Sequence, residues 1–293
     1  MRVIEMSPAT VSPAALRDKA LEAMSKLPPF SPVLNKLMAS LADEDVSFAE
    51  LAALIEKDTI LAGSVLRLVN SAFYACRGTV NSVKHAVSIL GIGKLRNLSM
   101  SMSLARMWNS PGLPAGWSSR HFNQHALASA ILADQIAVEL NTEYAEGAFT
   151  AGLLQNVGLV LIAIGLPDEY ASVQQAYQTG TGSLADYEGG FIGLSHAELS
   201  GEVLNRWHLP APIGKAVARH HGPHEGGVQH PLSRIVELAD TMAEQQGVLA
   251  QPWMRKPEGN SADILASLGL ESKAETMLDN FKNEYDTIKA FFG

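Results

Sequence analysis

Cysteine is almost absent from this chain of 293 residues, which contains only Cys76. A single cysteine cannot form an intramolecular disulfide, so the sequence excludes a disulfide-stapled secreted domain. Aromatic residues are also few, at 6%, and charged residues make up 18%, whereas hydrophobic residues reach 47%. This composition, which contains no low-complexity tract, predicts a compact globular protein rather than a disordered one.

The sequence also has little that is typical of a targeting or membrane segment. The N-terminal MRVIEMSPAT lacks the continuous apolar core of a secretory signal. The most apolar stretch, 151–166, is interrupted by Gln155 and Asn156 and is shorter than the roughly 20 residues that a membrane span needs. We therefore expect a cytoplasmic protein with no membrane span.

Positive charge is scarce, and the formal net charge of −8 disfavours a nucleic-acid partner through repulsion of the phosphate backbone. The segment LGIGKLRNL, which contains Lys94 and Arg96, is similar to hairpins that present backbone amides to DNA phosphate. Gly91 in the same segment also suits an ordinary helix C-cap, which is the interpretation we prefer. Nucleic-acid binding through Lys94 and Arg96 stays open as the lesser alternative.

Helix signals recur along the whole chain, and no run of strict alternation predicts a strand. Ser47 and Glu50 form a capping box ahead of an apolar run, and Ser195 with Glu198 repeats the device. The sequence therefore predicts an all-α fold. Besides helices that begin near 32, 48 and 196, we expect helices at about 13–25, 59–69, 82–90, 93–107, 118–140, 143–164, 168–178, 211–221, 231–246 and 272–292.

A segment rich in proline and glycine, 109–116, predicts a boundary between two lobes at about 20–110 and 117–246. Residues 1–19 are expected to form an N-terminal extension, and 247–293 a C-terminal loop and amphipathic helix. An apolar stripe in that helix either packs on its own domain or offers a partner surface. Its members are Met277, Leu278, Phe281, Tyr285, Ile288 and Phe292.

The polar residues that could carry chemistry fall in the second lobe. They are His125, Gln155, Asn156, His196, His220, His221 and Asp240. The pieces that contain them, HFNQHALASAILA, AGLLQNVG, HAELSGEVLNRWHLP, ARHHGP and VELAD, resemble the HD superfamily of metal-dependent phosphohydrolases. More narrowly they resemble the HDOD domain, and LPPFSPVLNKLMASLADEDVSFAELAALIEKDTILAGSVLRLVNSAFY is similar to the opening of that domain. The resemblance spans about residues 20–240.

The resemblance implies a two-lobed HDOD fold, with an N-terminal helical bundle and an HD-like helical lobe. It also implies a divalent metal held by a His, an adjacent His-Asp doublet and a later Asp. His125 matches the first His and Asp240 the last Asp, whereas Gln155 and Asn156 stand at the doublet. His196, His220 and His221 match histidines that complete a second metal position in HD-GYP-like branches.

The substitutions at the doublet predict a degenerate site with no catalytic residue and no resident cofactor. The neutral Asn156 amide cannot replace a carboxylate that bridges two cations, and Gln155 replaces an imidazole with a weak oxygen ligand. A weak mononuclear metal on Asp240 and His196, with His220 or His221, stays open. Because neighbours on a helix diverge by about 100°, we expect at most one of His220 and His221 to face the site.

The resemblance implies a bacterial signal-transduction module that regulates other signalling proteins through contacts, without catalysis. The rival hypothesis is a residual HD-type phosphohydrolase that acts on nucleotides or cyclic dinucleotides. Asn70 is expected to cap backbone groups at the end of a helix, with ligand binding as its second interpretation. The sequence sets no oligomeric state.

Overall fold

The chain is helical throughout in a computed structural model that describes residues 12–41, 47–74, 78–108, 112–142, 144–222 and 231–292. No strand occurs within those ranges, so the prediction of an all-α fold is confirmed. Cys76 and the first part of the predicted lobe boundary, 109–111, lie outside the described residues.

The first lobe is a bundle of short helices, each begun by a side-chain cap or a glycine. Its helices are α2 (Pro32–Ala39), α3 (Phe48–Glu56), α4 (Thr59–Val69), α5 (Val83–Leu90) and α6 (Ile92–Met107). At the start of α3, Ser47 Oγ accepts from the Glu50 amide while the Glu50 carboxylate accepts from the Ser47 amide, as the capping box predicts. α5 packs on α3, α4 and α6, which closes the bundle.

The second lobe is built around the long helix α7, which packs against α8 and α14. Its helices are α7 (Ser119–Leu140), α8 (Ala148–Leu154), α9 (Val157–Gly165), α10 (Pro167–Thr179), α11 (Leu184–Phe191), α12 (His196–Arg206), α13 (Ala211–Ala218) and α14 (Leu232–Gln245). α12 packs on α9 and α13, and α13 in turn packs on α8 and α14. These helices carry the polar residues that the sequence marks as candidates for chemistry.

Helices at both ends of the chain pack on these lobes. α1 (Pro13–Glu22) lies against α9 and α12, so the start of the described chain belongs to the folded body. The short α15 (Ser261–Ser267) leads into α16 (Ala274–Ile288), which packs on α7 and on the turn at 72–74. The apolar stripe of α16 is covered by its own chain, with Phe281 and Ile288 at 3% and 0% exposure.

The most apolar stretch of the described chain, Ala145–Gly165, has the length and hydropathy of a membrane span but is entirely buried inside the protein. A buried core helix of a globular protein can have the same length and hydropathy, so the stretch is only weak evidence for a membrane span. Leu161, in the second half of this stretch, has 0% exposure.

Three details of the helix prediction are wrong. The helix expected at 143–164 is a 3₁₀ turn at Ala145–Gly147 followed by α8 and α9, with Gln155 and Asn156 at the break. The helix expected at 211–221 ends at Ala218, because Arg219 leaves the helical region. α11 and α15 were not expected, and the two adjacent glycines in α11 lower its helix propensity.

Candidate functional site

Three side chains from three helices meet at the centre of the second lobe. His125 of α7 places Nε2 2.8 Å from Asp240 Oδ1 on α14, and Gln155 Nε2 donates to the same oxygen at 2.6 Å from the end of α8. His125 Nδ1 lies 2.8 Å from the Val248 carbonyl oxygen. All three side chains are buried, with exposures of 1%, 6% and 0% for His125, Asp240 and Gln155.

These contacts fix the protonation of His125. A backbone carbonyl only accepts, so Nδ1 must carry a hydrogen, and an ionised carboxylate also only accepts, so Nε2 must carry one as well. Burial opposes a charged imidazole, but the Asp240 carboxylate outweighs it and raises the pKa of His125. The same ion pair lowers the pKa of Asp240 against the effect of burial. His125 therefore has no lone pair free for a metal ion.

The binuclear centre implied by the resemblance does not fit these residues. Gln155, at the first doublet position, turns its amide nitrogen to Asp240, and its buried Oε1 has no hydrogen-bond partner in the described chain. Asn156, at the second, begins α9 and contributes a neutral amide that is 7% exposed. One Asp240 oxygen is already shared by two donors. No carboxylate stands at the doublet to bridge two cations.

A second cluster lies beside the first and is formed by His196, His220 and His221. One ligand nitrogen from each lies within 4.8 Å of the others. The ring centroids of His220 and His221 are 4.0 Å apart, and those of His196 and His221 are 5.0 Å apart. The expectation that only one of His220 and His221 faces the site is wrong, because α13 has ended and the helical 100° offset no longer applies.

Glu188 orients this second cluster and was missed by sequence reasoning. Its carboxylate Oε2 accepts from the His196 amide and lies 2.7 Å from His196 Nδ1, and the side chain has 0% exposure. Despite burial, Glu188 raises the pKa of His196. Glu188 lies on the unexpected α11, so no sequence signal marked this acid as buried.

The remaining two histidines of the cluster have lowered pKa values, mainly because of burial. Burial, followed by the positive charge of His221 and His196, lowers the pKa of His220 well below its ordinary value. His220 Nδ1 lies 2.7 Å from the Val217 carbonyl oxygen, which fixes the hydrogen on that nitrogen. The opposite nitrogen, Nε2, is buried and has no partner among the residues that the structure describes. His221 closes the cluster from the exposed side.

Glycine packing sets the position of His196 at the start of α12. A Cβ added to Gly158 on α9 would lie 2.2 Å from the His196 carbonyl oxygen and 2.9 Å from the Ser200 amide nitrogen. The Gly158 amide donates to Ser200 Oγ at 2.7 Å across the same contact. Only glycine lets α9 approach the first turn of α12 this closely.

The other sequence-derived candidates lie outside this site and have structural partners. Asn70 donates to the carbonyls of Leu66 and Val80 and accepts from the Val80 amide, each at 2.8 Å, so it caps a turn. Lys94 forms an ion pair with Glu284, and Arg96 donates to the Ser40 carbonyl at 3.0 Å. Burial lowers the pKa of Arg96. Neither cation is presented freely to a phosphate backbone.

Comparison with known proteins agrees with this architecture. A structure of an HDOD domain protein of unknown function from Geobacter sulfurreducens has a TM-score of 0.75 at 22% identity, covering 95% of this chain and 97% of that one. A candidate phosphohydrolase from Shewanella amazonensis SB2B gives 0.73 at 22%, covering 94% and 98%. A candidate signal transduction protein from Marinobacter aquaeolei VT8 gives 0.69 at 23%, covering 99% and 67%. At these identities the likeness shows the fold.

Sequence comparison defines the family. An uncharacterized protein of Treponema pallidum (strain Nichols) is 25% identical over 253 residues, which are 82% of this chain and 46% of that protein. The chain thus spans less than half the length of this relative. Residues 27–223 match the HDOD domain, and that range covers most of the first lobe and the second lobe as far as the histidine cluster. The chain belongs to the HDOD domain family.

Proposed function

We propose that this chain is a non-catalytic signal-transduction module that regulates other proteins through direct contacts. The observation that carries the proposal is the hydrogen bond from Gln155 Nε2 to Asp240 Oδ1 at 2.6 Å. In a working HD site the doublet would supply ligands to a metal. In this chain Gln155, at the first doublet position, instead donates to the remaining carboxylate, whose Oδ1 also pairs with His125.

The energetics of the paired network support the same proposal. A metal at this position would have to remove a proton from His125 and displace two donors from Asp240, all in a buried site. Hydrogen bonds to charged groups are each worth about 1.5–3 kcal/mol, and breaking both opposes metal entry. Without a bridging carboxylate, there is also no second ion to activate water. The chain also shares its fold with the candidate signal transduction protein from Marinobacter aquaeolei VT8, which is compatible with the proposal.

The experiment exchanges the encoding gene in its host for an Asp240→Asn allele and compares it with a deletion. Asparagine keeps an oxygen that can accept from His125 and Gln155 but removes the charge on which metal-dependent hydrolysis would rely. We expect the Asn allele to complement the deletion and its product to keep any partner that purifies with the original chain. A deletion-like phenotype from a folded Asp240→Asn protein would contradict the proposal.

The rival function is hydrolysis of nucleotides or cyclic dinucleotides around one metal ion, and the cluster of His196, His220 and His221 is the observation that favours it. One ion can lower the pKa of a bound water, so the chemistry is conceivable in principle. The rival predicts turnover that falls when His196 is replaced by Ala. Our proposal predicts no metal-dependent turnover in either protein.

A further inference from the structure

We propose that residues 247–259, which we call the lid, form a hinged cover over the candidate site that opens as one unit and uncovers His125. The lid lies between α14 and α15 and contains no helix. Loops longer than roughly 12–15 residues without secondary structure are uncommon, and the ordered ones are usually functional, covers of active sites among them. The inference goes beyond the proposed function, because it concerns access to the site and holds for a binding module and an enzyme alike.

The underside of the lid closes the candidate site at His125. The Val248 carbonyl oxygen lies 2.8 Å from His125 Nδ1, and His125 is 1% exposed. Further along the lid, Ala250 and Gln251 are 2% and 0% exposed, so this part of the lid is buried against the second lobe. Displacement of the lid would therefore remove the acceptor from Nδ1 and bring solvent to the ring.

The two ends of the lid are held together at its base. Gln245 Nε2 donates to the Glu258 carbonyl oxygen at 3.1 Å, and Gln246 Nε2 donates to Ser261 Oγ at the same distance. A compact loop whose ends lie close together is an Ω-loop, a class that is frequently functional. Because its ends meet, such a loop can swing about its base while the helices on both sides stay in place.

A glycine in the left-handed region stands at each end of the lid. Gly247 has a φ of +81° and Gly259 a φ of +93°. Glycine has no Cβ and therefore tolerates large changes of φ, and hinges are a few loop or terminal residues that absorb such changes. Nothing lies within 4 Å of a Cβ added to Gly247, so packing does not restrain the backbone there. We assign these two glycines as the hinges.

Gln251 is the first of two latches that hold the lid closed. Its Oε1 accepts from the Ser118 amide at 2.9 Å and its Nε2 donates to the Ser118 carbonyl at 3.4 Å, at the start of α7. Nearby, Trp253 Nε1 donates to the Tyr170 hydroxyl on α10 at 3.2 Å. Among the described residues, no backbone-to-backbone hydrogen bond joins the lid to α7, α10 or α11. Side chains therefore close the lid, and it can open without breaking a helix.

Arg255 is the second latch. Its Nη1 donates to the Gly180 carbonyl and its Nη2 to the Gly182 carbonyl, each at 2.5 Å, in the turn that joins α10 to α11. The guanidinium also lies 4.1 Å from the centroid of the Tyr177 ring, within the range of a cation–π contact. The neighbouring Lys256 is exposed, which makes it the matched control cation for this latch.

The first experiment measures opening of the lid by the reactivity of one thiol in the full chain. Cys76→Ser removes the only native cysteine, and Ala250→Cys places a thiol on the buried side of the lid. Because a local opening exposes much less surface than unfolding, the labelling rate should depend on denaturant far less than global unfolding does. Equal denaturant dependence would overturn the inference.

The same reporter tests the Arg255 latch. Arg255→Ala should raise the labelling rate at least about 10-fold, because two hydrogen bonds from a charged donor are lost. Lys256→Ala should leave the rate unchanged. Equal rates in the two variants would overturn the inference.

Hydrogen exchange followed by mass spectrometry tests whether the lid moves as one unit, in the original chain, Gln251→Ala and Arg255→Ala. Loss of either latch should speed amide exchange along the whole lid, around the other latch as well, while exchange in α14 and α16 stays unchanged. Acceleration confined to the substituted end would overturn the inference. This measurement needs no added cysteine, so it decides the question even where Ala250→Cys does not fold.

The last measurement tests whether opening uncovers the candidate site. In protein labelled with ¹⁵N-histidine, the His125 Nδ1 proton should exchange with water faster in Arg255→Ala than in Lys256→Ala, because its acceptor on Val248 leaves with the lid. An unchanged rate in a variant whose lid opens would overturn the inference. None of these readouts depends on turnover or on a partner, so their failure is distinguishable from failure of the proposed function.

Discussion

Gln155 donates a hydrogen bond from Nε2 to Asp240 Oδ1 at 2.6 Å, in the space where the HD resemblance places a metal. Asp240 matches a metal ligand of the HD superfamily, but here its Oδ1 accepts from two buried donors. The second donor is His125, whose Nε2 lies 2.8 Å from the same oxygen. Both donors would have to be displaced before this oxygen could bind an ion. The contribution of the Gln155 hydrogen bond to folding can be measured.

Replacing Gln155 by Leu should destabilise the protein by about 1.5–3 kcal/mol, because the side chain loses its hydrogen bond to a buried carboxylate. The unpaired Gln155 Oε1 is removed at the same time, which places the expected loss at the lower end of that range. Chemical denaturation monitored by circular dichroism measures the difference. An unchanged midpoint would show that Asp240 does not depend on this donor.

Truncation of Leu161 to Ala should lower the unfolding free energy by about 2–5 kcal/mol, because the side chain is fully buried in α9. Leu153, at 5% exposure on α8, should behave in the same way. Val138→Ala is the control, since Val138 is 66% exposed and its loss should change stability by less than about 0.5 kcal/mol. Similar midpoints for Leu161→Ala and Val138→Ala would argue against α9 as the core.

Gly158→Ala should destabilise the chain, since the added methyl meets the His196 carbonyl at 2.2 Å and forces α9 away from α12. Gly63→Ala on α4 is its matched control, because nothing lies within 4 Å of the added Cβ. In open helical space this change should be neutral or stabilising by about 0.4–1 kcal/mol. Thermal melts should therefore show a lowered midpoint for Gly158→Ala and an unchanged or raised midpoint for Gly63→Ala. An equal fall of both midpoints would contradict the close approach of α9 to α12.

Asp134 gives a pH-dependent prediction. Burial, and secondarily the charge of Glu284, raises the pKa of Asp134 against the opposing effect of Lys94. The folded chain therefore holds this proton to higher pH than the unfolded chain, and stability is lost as pH rises through the folded pKa. Asp134→Asn should be more stable than the original chain at pH 7, with the difference shrinking as pH falls towards 4.

Denaturant midpoints across pH 4–7 measure this effect. Asp279→Asn serves as the control, because Asp279 is an exposed acid on α16, and its substitution should change stability by less than about 0.5 kcal/mol. A constant gap between Asp134→Asn and the original chain at every pH would refute the electrostatic account.

The helices of the fold could be predicted because capping residues and apolar spacing in the sequence agree with the helices that form in the folded protein. The capping boxes at Ser47 and Ser195 begin α3 and α12 as expected, and the bounds of α4 and α7 follow the apolar spacing closely. The break at Gln155 and Asn156 could not be predicted in the same way. Continuous apolar sequence on both sides of it indicates one helix, whereas Asn156 leaves the helical conformation, with φ −101° and ψ 11°, and separates α8 from α9.

The residues of the candidate site could largely be predicted from the sequence, but the contacts that several of them make could not. The resemblance marked His125, Gln155 and Asp240 by order along the chain, and the three side chains do meet. The contact between Glu188 and His196 depends on how α11 packs against α12. The two glycines of α11 lower its helix propensity, so the sequence does not predict this helix. The joint orientation of His220 and His221 depends on where α13 ends, a boundary that sequence patterns fix poorly.

A chain that acts only through protein contacts turns over no phosphate ester at the HD position. The decisive experiment compares the hydrolysis rates of nucleotides and cyclic dinucleotides with Mn²⁺, Fe²⁺ or Zn²⁺ for the original chain and Asp240→Ala side by side. We expect no metal-dependent turnover in either protein. Turnover by the original chain that is lost in Asp240→Ala would disprove the proposed function.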